Sequence, residues 1–266
     1  MISVTIITKN EEANIERCLK SVMWADEILV VDAFSTDRTC DIVRTIGARL
    51  IQRQWEGFAM QKEFAMLQAS CEWVLSLDAD EEVSKELKGE IHSILERDDE
   101  INGYEIPRKS YFLGKWIQHG GWYPGYQLRL FRKSKTRMNY RPVHEGFEVE
   151  GKVGRLHSPI HHYTYTSLYQ YLNKMNHYSS LDVANRFVNG KVVRWYNFLL
   201  NPLSSFLRMF VSLHGYRDGI HGFFLASFSA LNVLATYAKG WEYQTAEERQ
   251  MPIPPITDEA LSTFNH

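Results

Sequence analysis

Four short apolar runs in the first eighty residues, each followed by a stretch of helical spacing, constrain this chain more than any other feature of it. Ser3 to Thr8 (SVTIIT), Glu27 to Val31 (EILVV) and Trp73 to Leu77 (WVLSL) read as buried strands, and Arg49 to Arg53 as a shorter one. Between them, Glu12 to Met23 carries Ile15, Leu19 and Val22 one helical turn apart. A Ser35-Thr36-Asp37 cluster opens a second helix that Gly47 stops, and Phe58 to Ala69 forms a third. Ser84 to Leu95 is helical again. Strands alternating with helices at these lengths predict right-handed βαβ units, a mainly parallel sheet and an α/β fold.

Past residue 100 the rhythm changes. Gly103 to Phe112, Tyr126 to Arg132 and Gly146 to Val153 read as strands of an antiparallel extension, separated by loops rich in Gly, Trp, Tyr and Pro. Ser167 to Phe187 is a helix, and from Arg186 to Trp241 aromatic and aliphatic residues dominate, with Asp218 the only acid. The pattern divides the chain into an α/β part with its antiparallel extension (1–165), a helical part (166–241) and a polar, proline-containing tail (242–266). Interleaved Trp, Tyr, Arg and Lys in the helical part suit helices lying on an anionic membrane surface better than a span, because His221, Ser227, Ser229 and Asn232 interrupt the longest apolar run. An ordinary helical core layer or a dimer interface is the alternative.

Composition narrows the class. A formal net charge of −2 supplies no basic field for nucleic acid. The three cysteines (Cys18, Cys40, Cys71) have no CxxC or zinc spacing, which points to structural thiols in a reducing compartment. The N-terminal apolar run ends at Lys9 and Asn10 and does not read as a signal peptide.

The chemistry is expected at the strand ends, where ligands bind in open α/β sheets. Asp78 and Asp80 follow WVLSL directly. Two carboxylates so close repel unless a cation or proton neutralises them, and a hard divalent ion such as Mg²⁺ or Mn²⁺ suits the spot. An acidic helix start is the competing explanation of DADEE. Asp32 ends EILVV in the same way and is placed to accept a hydrogen bond from a base or a ribose. Thr8, Asn10, Glu11 and Glu12 complete the rim.

Taken in order, SVTIITKNEEANIERCLKSV, ILVVDAFSTDRT and WVLSLDADE resemble family 2 glycosyltransferases, and within them the bacterial lipopolysaccharide core-type glucosyltransferases. GKWIQHGGWYPGYQLRLFRK and YRPVHEGF extend the similarity to about residue 240. The resemblance implies a glycosyltransferase A-type nucleotide-binding sheet with an antiparallel extension and a C-terminal helical membrane-association region. It implies an inverting hexosyltransferase, a nucleotide-sugar donor such as a UDP-sugar, a lipid-linked or lipopolysaccharide-core saccharide acceptor, and a cytoplasmic enzyme peripheral on the inner face of the inner membrane. Donor contacts are expected from Thr8, Asn10, Glu11, Asp32, Lys62, Asp78 and Arg129, and metal ligation from Asp78, Asp80 and His162. Glu145 is the expected general base. In VDAFSTDRT the family's commoner Ser-Gly after the aspartate is replaced by Ala33-Phe34, and its later Gly by Arg38.

Several of these assignments have competitors in the residues themselves. Arg129 and Arg132 are three apart in a strand and face opposite sides, so at most one points at a diphosphate. His157, His161 and His162 suit structural roles as well as ligation. Trp116, His119, Trp122 and Tyr123 suit sugar stacking or simple loop packing. A dehydrogenase lacks its GxGxxG at the first turn, and a nucleotidyltransferase lacks its Gly-rich, Arg-containing loop there. A membrane-attached module that binds sugar nucleotides without turnover is the remaining alternative.

Overall fold

The computed structural model describes residues 1–97, 100–139, 146–187 and 192–249, which fall into two compact units. The first comprises residues 1–110 and 124–164, the second residues 111–123 and everything from 165 onward.

The first unit opens as the alternation predicts. Strand β1 (Ile2–Thr8) leads to helix α1 (Ile15–Ser21), β2 (Glu27–Asp32) to α2 (Thr39–Ile46), and β3 (Arg49–Gln52) to α3 (Phe58–Gln68). Then come β4 (Trp73–Asp78), the short β5 (Glu81–Val83) and α4 (Lys85–Leu95). Each helix end has a local cause. Gly47, at φ 87°, closes α2 in the left-handed conformation. Ser84 caps α4 by accepting the amide of Leu87.

Period-two alternation decides which side of the sheet each residue packs on. Val4, Ile6, Val30, Leu75 and Leu77 pack with Leu19 of α1, Val43 of α2 and Ile91 of α4, while Ile7, Leu29 and Val31 pack with Ala65 of α3. Both faces of β1 are therefore buried along its whole length.

The extension follows with β6 (Ile101–Ile106), β7 (Arg108–Phe112), β8 (Lys115–Trp116), β9 (Gln127–Arg132), β10 (Thr136–Asn139), β11 (Gly146–Val149), β12 (Lys152–Arg155) and β13 (Ile160–Tyr165). One seven-stranded sheet runs β12-β6-β9-β4-β1-β2-β3. Strands β4, β1, β2 and β3 are parallel, and β9 is antiparallel to both β4 and β6. The continuous strand expected over Gly103 to Phe112 is broken at Pro107, whose missing N–H cannot continue the ladder, and β6 and β7 join different sheets. The strand expected over Gly146 to Val153 is likewise two, with Gly151 at φ 97° turning between them. β13 pairs antiparallel with β5, setting His162 opposite Glu81.

In the second unit, the end of β7 and β8 form a tight hairpin, Tyr111 opposite Trp116, around Leu113 and Gly114 at positive φ. Helices α5 (Leu168–Phe187), α6 (Asn197–Leu207) and α7 (Ile220–Glu248) follow. A π-helical turn (Arg208–Ser212) and a 3-10 turn (Gly215–Asp218) separate the last two. Its core gathers Phe112, Ile117 and Leu225, with Tyr165, Tyr171 and Phe228 around them. The tail expected from residue 242 starts later, since α7 runs on through Glu248. Within α7, Ile220–Ala246 is long and apolar enough to cross a bilayer by length and composition alone.

Candidate active site

The parallel register brings the predicted rim together. Thr8 lies opposite Asp32 and Ile7 opposite Asp78, so three strand ends open side by side at the C-terminal edge of the sheet. Thr8 Oγ1 is buried there and has no hydrogen-bond partner among the described residues.

Asp32 is fully buried and organises the turn that follows it. One oxygen accepts the Ser35 hydroxyl, and the other accepts the Ser35 amide at 2.9 Å and Gln52 Nε2 at 3.1 Å. Asn10 then ties the first rim loop to the second. Its amide donates to Ser35 Oγ at 2.8 Å, and its Oδ1 accepts the Thr36 amide at 2.8 Å. The Glu11 amide donates to Thr39 Oγ1 at 2.9 Å and the Glu12 amide to Asp37 Oδ2 at 3.1 Å. Asn10 and Phe34 reach these positions at φ 54° and 55°, the left-handed region. Asn takes that conformation readily, whereas a Phe there is strained. Phe34 nonetheless holds its ring 52% exposed on the rim.

At the third strand end the charges are paired. Asp78 Oδ1 meets Lys62 Nζ at 2.8 Å, and Oδ2 accepts from Arg129 Nη2 at 2.6 Å. The same Arg129 nitrogen donates to Glu81 Oε1 at 2.7 Å, and Glu81, fully buried, accepts the Asp78 amide at 3.0 Å through its other oxygen. Burial opposes the Asp78 charge, but Arg129 and Lys62 outweigh it and hold the carboxyl well below the usual carboxylate range. Burial likewise opposes the Arg129 charge, which Asp78 and Glu81 more than restore.

Asp80 points elsewhere. Its Oδ2 lies 3.4 Å from His162 Nε2, and His162 Nδ1 is 3.1 Å from the Ser110 hydroxyl. The ring is thus oriented from behind by Ser110 with its other nitrogen at the carboxylate, as in an imidazole held for ligation. Asp80 and His162 are both largely buried.

The family model for glycosyl transferase family 2 matches residues 3–164. The chain belongs to that family. The lipopolysaccharide core biosynthesis glycosyltransferase LpsC of Rhizobium meliloti is 33% identical to it over 98% of this chain and 97% of its own length. An uncharacterised glycosyltransferase of Rickettsia typhi is 33% identical over 84% of this chain and 80% of its own. Among solved structures, the mannosyltransferase PcManGT of Pyrobaculum calidifontis, in complex with GDP-Man and Mn²⁺, matches with a TM-score of 0.51 at 15% identity. That match covers 90% of this chain and 86% of PcManGT, and the shared fold is the glycosyltransferase A type.

Against this family 2 frame, several sequence expectations change in detail. The repulsion between Asp78 and Asp80 does not by itself require a metal, because Lys62 and Arg129 already neutralise Asp78. Both cations were expected on a diphosphate, and both pair with Asp78. Among the described residues no group of three or more His, Cys, Asp or Glu side chains is arranged to hold a metal ion, so Asp80 and His162 stand as a pair. Arg129 and Arg132 do part company, since Arg132 stacks its guanidinium over the Trp73 ring at 4.7 Å. Sequence reasoning missed Glu81 and Ser110. The signal for Glu81 was Arg129 itself, because an Arg alternating with buried apolar residues needs a buried acid. Glu145, with His144 beside it, lies outside the described residues.

Proposed function

We propose that this family 2 enzyme transfers a hexose, with inversion, from a nucleotide-sugar donor to a lipid-linked or lipopolysaccharide-core saccharide. The donor we favour is a UDP-sugar. The observation that carries the acceptor class is the likeness to LpsC over nearly the whole of both chains, which includes the second unit as well as the sheet. On this reading residues 1–165 bind the donor and carry out transfer. Residues 166–241 keep the enzyme on the cytoplasmic face of the bacterial inner membrane, where a lipid-linked acceptor is found.

The donor's base and ribose belong at the rim of Thr8, Asn10, Glu11 and Asp32, with the unpartnered Thr8 hydroxyl available to them. Asp32 acts there by fixing the Ser35 turn. Among the described residues, Asp80 and His162 are the pair that would hold a divalent cation. Asp80 and His162 offer one oxygen and one nitrogen 3.4 Å apart, with the Asp78 carboxylate close in sequence, and Mg²⁺ or Mn²⁺ commonly takes a few protein ligands and completes its shell with phosphate oxygens and water. Such an ion, when bound, would supply charge neutralisation for a departing diphosphate. Lys62 and Arg129 set the orientation of Asp78 and add positive charge to the same strand end. Glu145 takes the proton of the acceptor hydroxyl, a role that rests on the likeness of the RPVHEGF segment to the family.

A panel of nucleotide sugars tested for binding, and for transfer to lipopolysaccharide core or lipid-linked saccharide, checks the reading. Binding without transfer to any saccharide lipid would favour a non-catalytic binding module.

A further inference from the structure

Helix α6 is unusual in burying none of its residues, although its sequence is largely apolar. Leu199, Leu200, Leu203 and Leu207 fall on one side, and Leu207, the least exposed of them, is still 46% exposed. Asn201, Ser204, Ser205 and Arg208 recur three and four residues apart on another side, where they line a groove of about 490 Å³. Gly120 and Gly121, Ser229 of α7, and the largely apolar Met209, Leu213, Val233 and Tyr237 form its other walls.

The groove is preformed. Gln118 and His119 donate their amides to Asp218 Oδ2 at 3.2 and 2.8 Å, Lys115 Nζ donates to the Asp218 carbonyl at 2.6 Å, and the Gly120 amide donates to Leu213 O at 2.8 Å. The glycine wall is thus fastened to the 213–218 turn. Gly120 and Gly121, at φ 66° and 83°, present backbone where a side chain would narrow the space.

Its charge is unbalanced. Asp218 is the only acid between residues 186 and 241, and it is buried and already engaged. Lys239 is spent on Asn176, Ser179 and Ser180. Arg208 is exposed and makes no ion pair among the described residues. A guanidinium, an amide and hydroxyls in one groove suit phosphate oxygens and sugar hydroxyls, and leucines exposed on the same helix suit acyl chains.

We infer that this groove is a headgroup site for a phosphate-bearing lipid of an anionic bilayer, with Arg208 on the phosphate and the leucine face of α6 seated among the acyl chains. The inference refines the membrane-attached reading given above and rests on it. It assigns the contact to α6, not to the longer apolar α7.

The test is co-sedimentation of the full chain with vesicles of phosphatidylcholine alone or mixed with phosphatidic acid. Diffuse attraction is worth about fivefold in affinity per basic residue, and loss of a phosphate-bound guanidinium about tenfold or more. Arg208→Gln is therefore expected to weaken binding to acidic vesicles at least about tenfold, and Arg194→Gln no more than about fivefold. Leu203→Ser with Leu207→Ser is expected to reduce binding to both vesicle types, and inorganic phosphate is expected not to release the wild-type chain. Equal losses in Arg208→Gln and Arg194→Gln would reduce the groove to one part of a diffuse field and overturn the inference. Saturable binding of inorganic phosphate without vesicle binding would also overturn it, by making the ligand a free phosphate. UDP-sugar binding measured on the same variants is expected to be unchanged. Its absence in the wild type would count against the glycosyltransferase reading and leave the vesicle result standing.

Discussion

Arg129 and Arg208 show how differently the two units use the same side chain. Arg129 is 5% exposed and bonded to two carboxylates of its own unit, whereas Arg208 is exposed and has no acidic partner among the described residues. A charge taken out of water has to be paired, and the pairing fixes geometry. An unpaired charge at the surface costs nothing to keep and is available to an outside anion. The leucines repeat the contrast. Leu75 and Leu77 of β4 are fully buried, while Leu199 and Leu203 of α6 are mostly exposed. The first unit thus reads as a rigid frame for a site, and the second as a surface made for contact.

The largest effect belongs to chemistry carried by the first part of the chain. Glu145→Gln is expected to keep donor affinity and to lose transfer by about a hundredfold or more, measured as initial rates with saturating donor. Near-normal turnover would move the base to another acid, such as Glu148 or Glu105.

The two arginines themselves give the next largest difference. Arg129→Met leaves the buried Glu81 with only the more distant Arg108, at 3.8 Å, as a cationic partner, and is expected to cost about 3–5 kcal/mol in urea unfolding. Arg208→Met is expected to stay within about 0.5 kcal/mol of the wild type. Similar costs at both positions would break the comparison.

A smaller effect follows from Glu27, at the half-buried start of β2. Burial opposes its charge, but hydrogen bonds from Ser3, Ser70 and Arg49 outweigh this and hold its carboxyl below the usual range. Because the folded-state value is the lower one, the stabilisation is present above the unfolded-state value and is lost as pH falls through the folded-state value. Stability between neutral and acidic pH is therefore expected to fall less steeply in Glu27→Gln than in wild type, at a cost of about 1–3 kcal/mol near neutrality. Parallel pH profiles would remove Glu27 from the account.

The smallest effect runs the other way. Phe34 is held in the left-handed region, where glycine is unstrained, so Phe34→Gly is expected to stabilise the chain by up to about 1 kcal/mol. A fall in melting temperature would mean that the exposed ring is held by packing.

Much of this division could be read from the sequence, and the gaps have physical causes. The strands β1, β2 and β4 are legible because both sheet faces are covered, which makes their runs largely apolar, and the residues that end or follow them point to Asp32, Asp78 and Asp80 without further information. Partner choice is not legible, because it depends on which strand lies beside which. Arg129 reaches Asp78 only because β9 enters the sheet beside β4, and His162 reaches Asp80 only because β13 pairs with β5. Pro107 could have signalled the break between β6 and β7, but the surrounding alternation masked it. The membrane side was read from composition alone, which treats residues 166–241 as one helical part; that α6 buries none of its residues is a matter of exposure and not of hydropathy, and is not legible in the sequence.

The central claim is that the strand end at Asp78 and Asp80 binds a nucleotide sugar together with a divalent ion. Calorimetric titration of a UDP-sugar with and without Mn²⁺, on wild type and Asp80→Ala, tests it most directly. The account predicts that Mn²⁺ tightens binding at least about tenfold in the wild type, and that Asp80→Ala, folded as judged by its unchanged melting temperature, loses this dependence. An Asp80→Ala protein that binds the donor with the same dependence on Mn²⁺ as the wild type would contradict it.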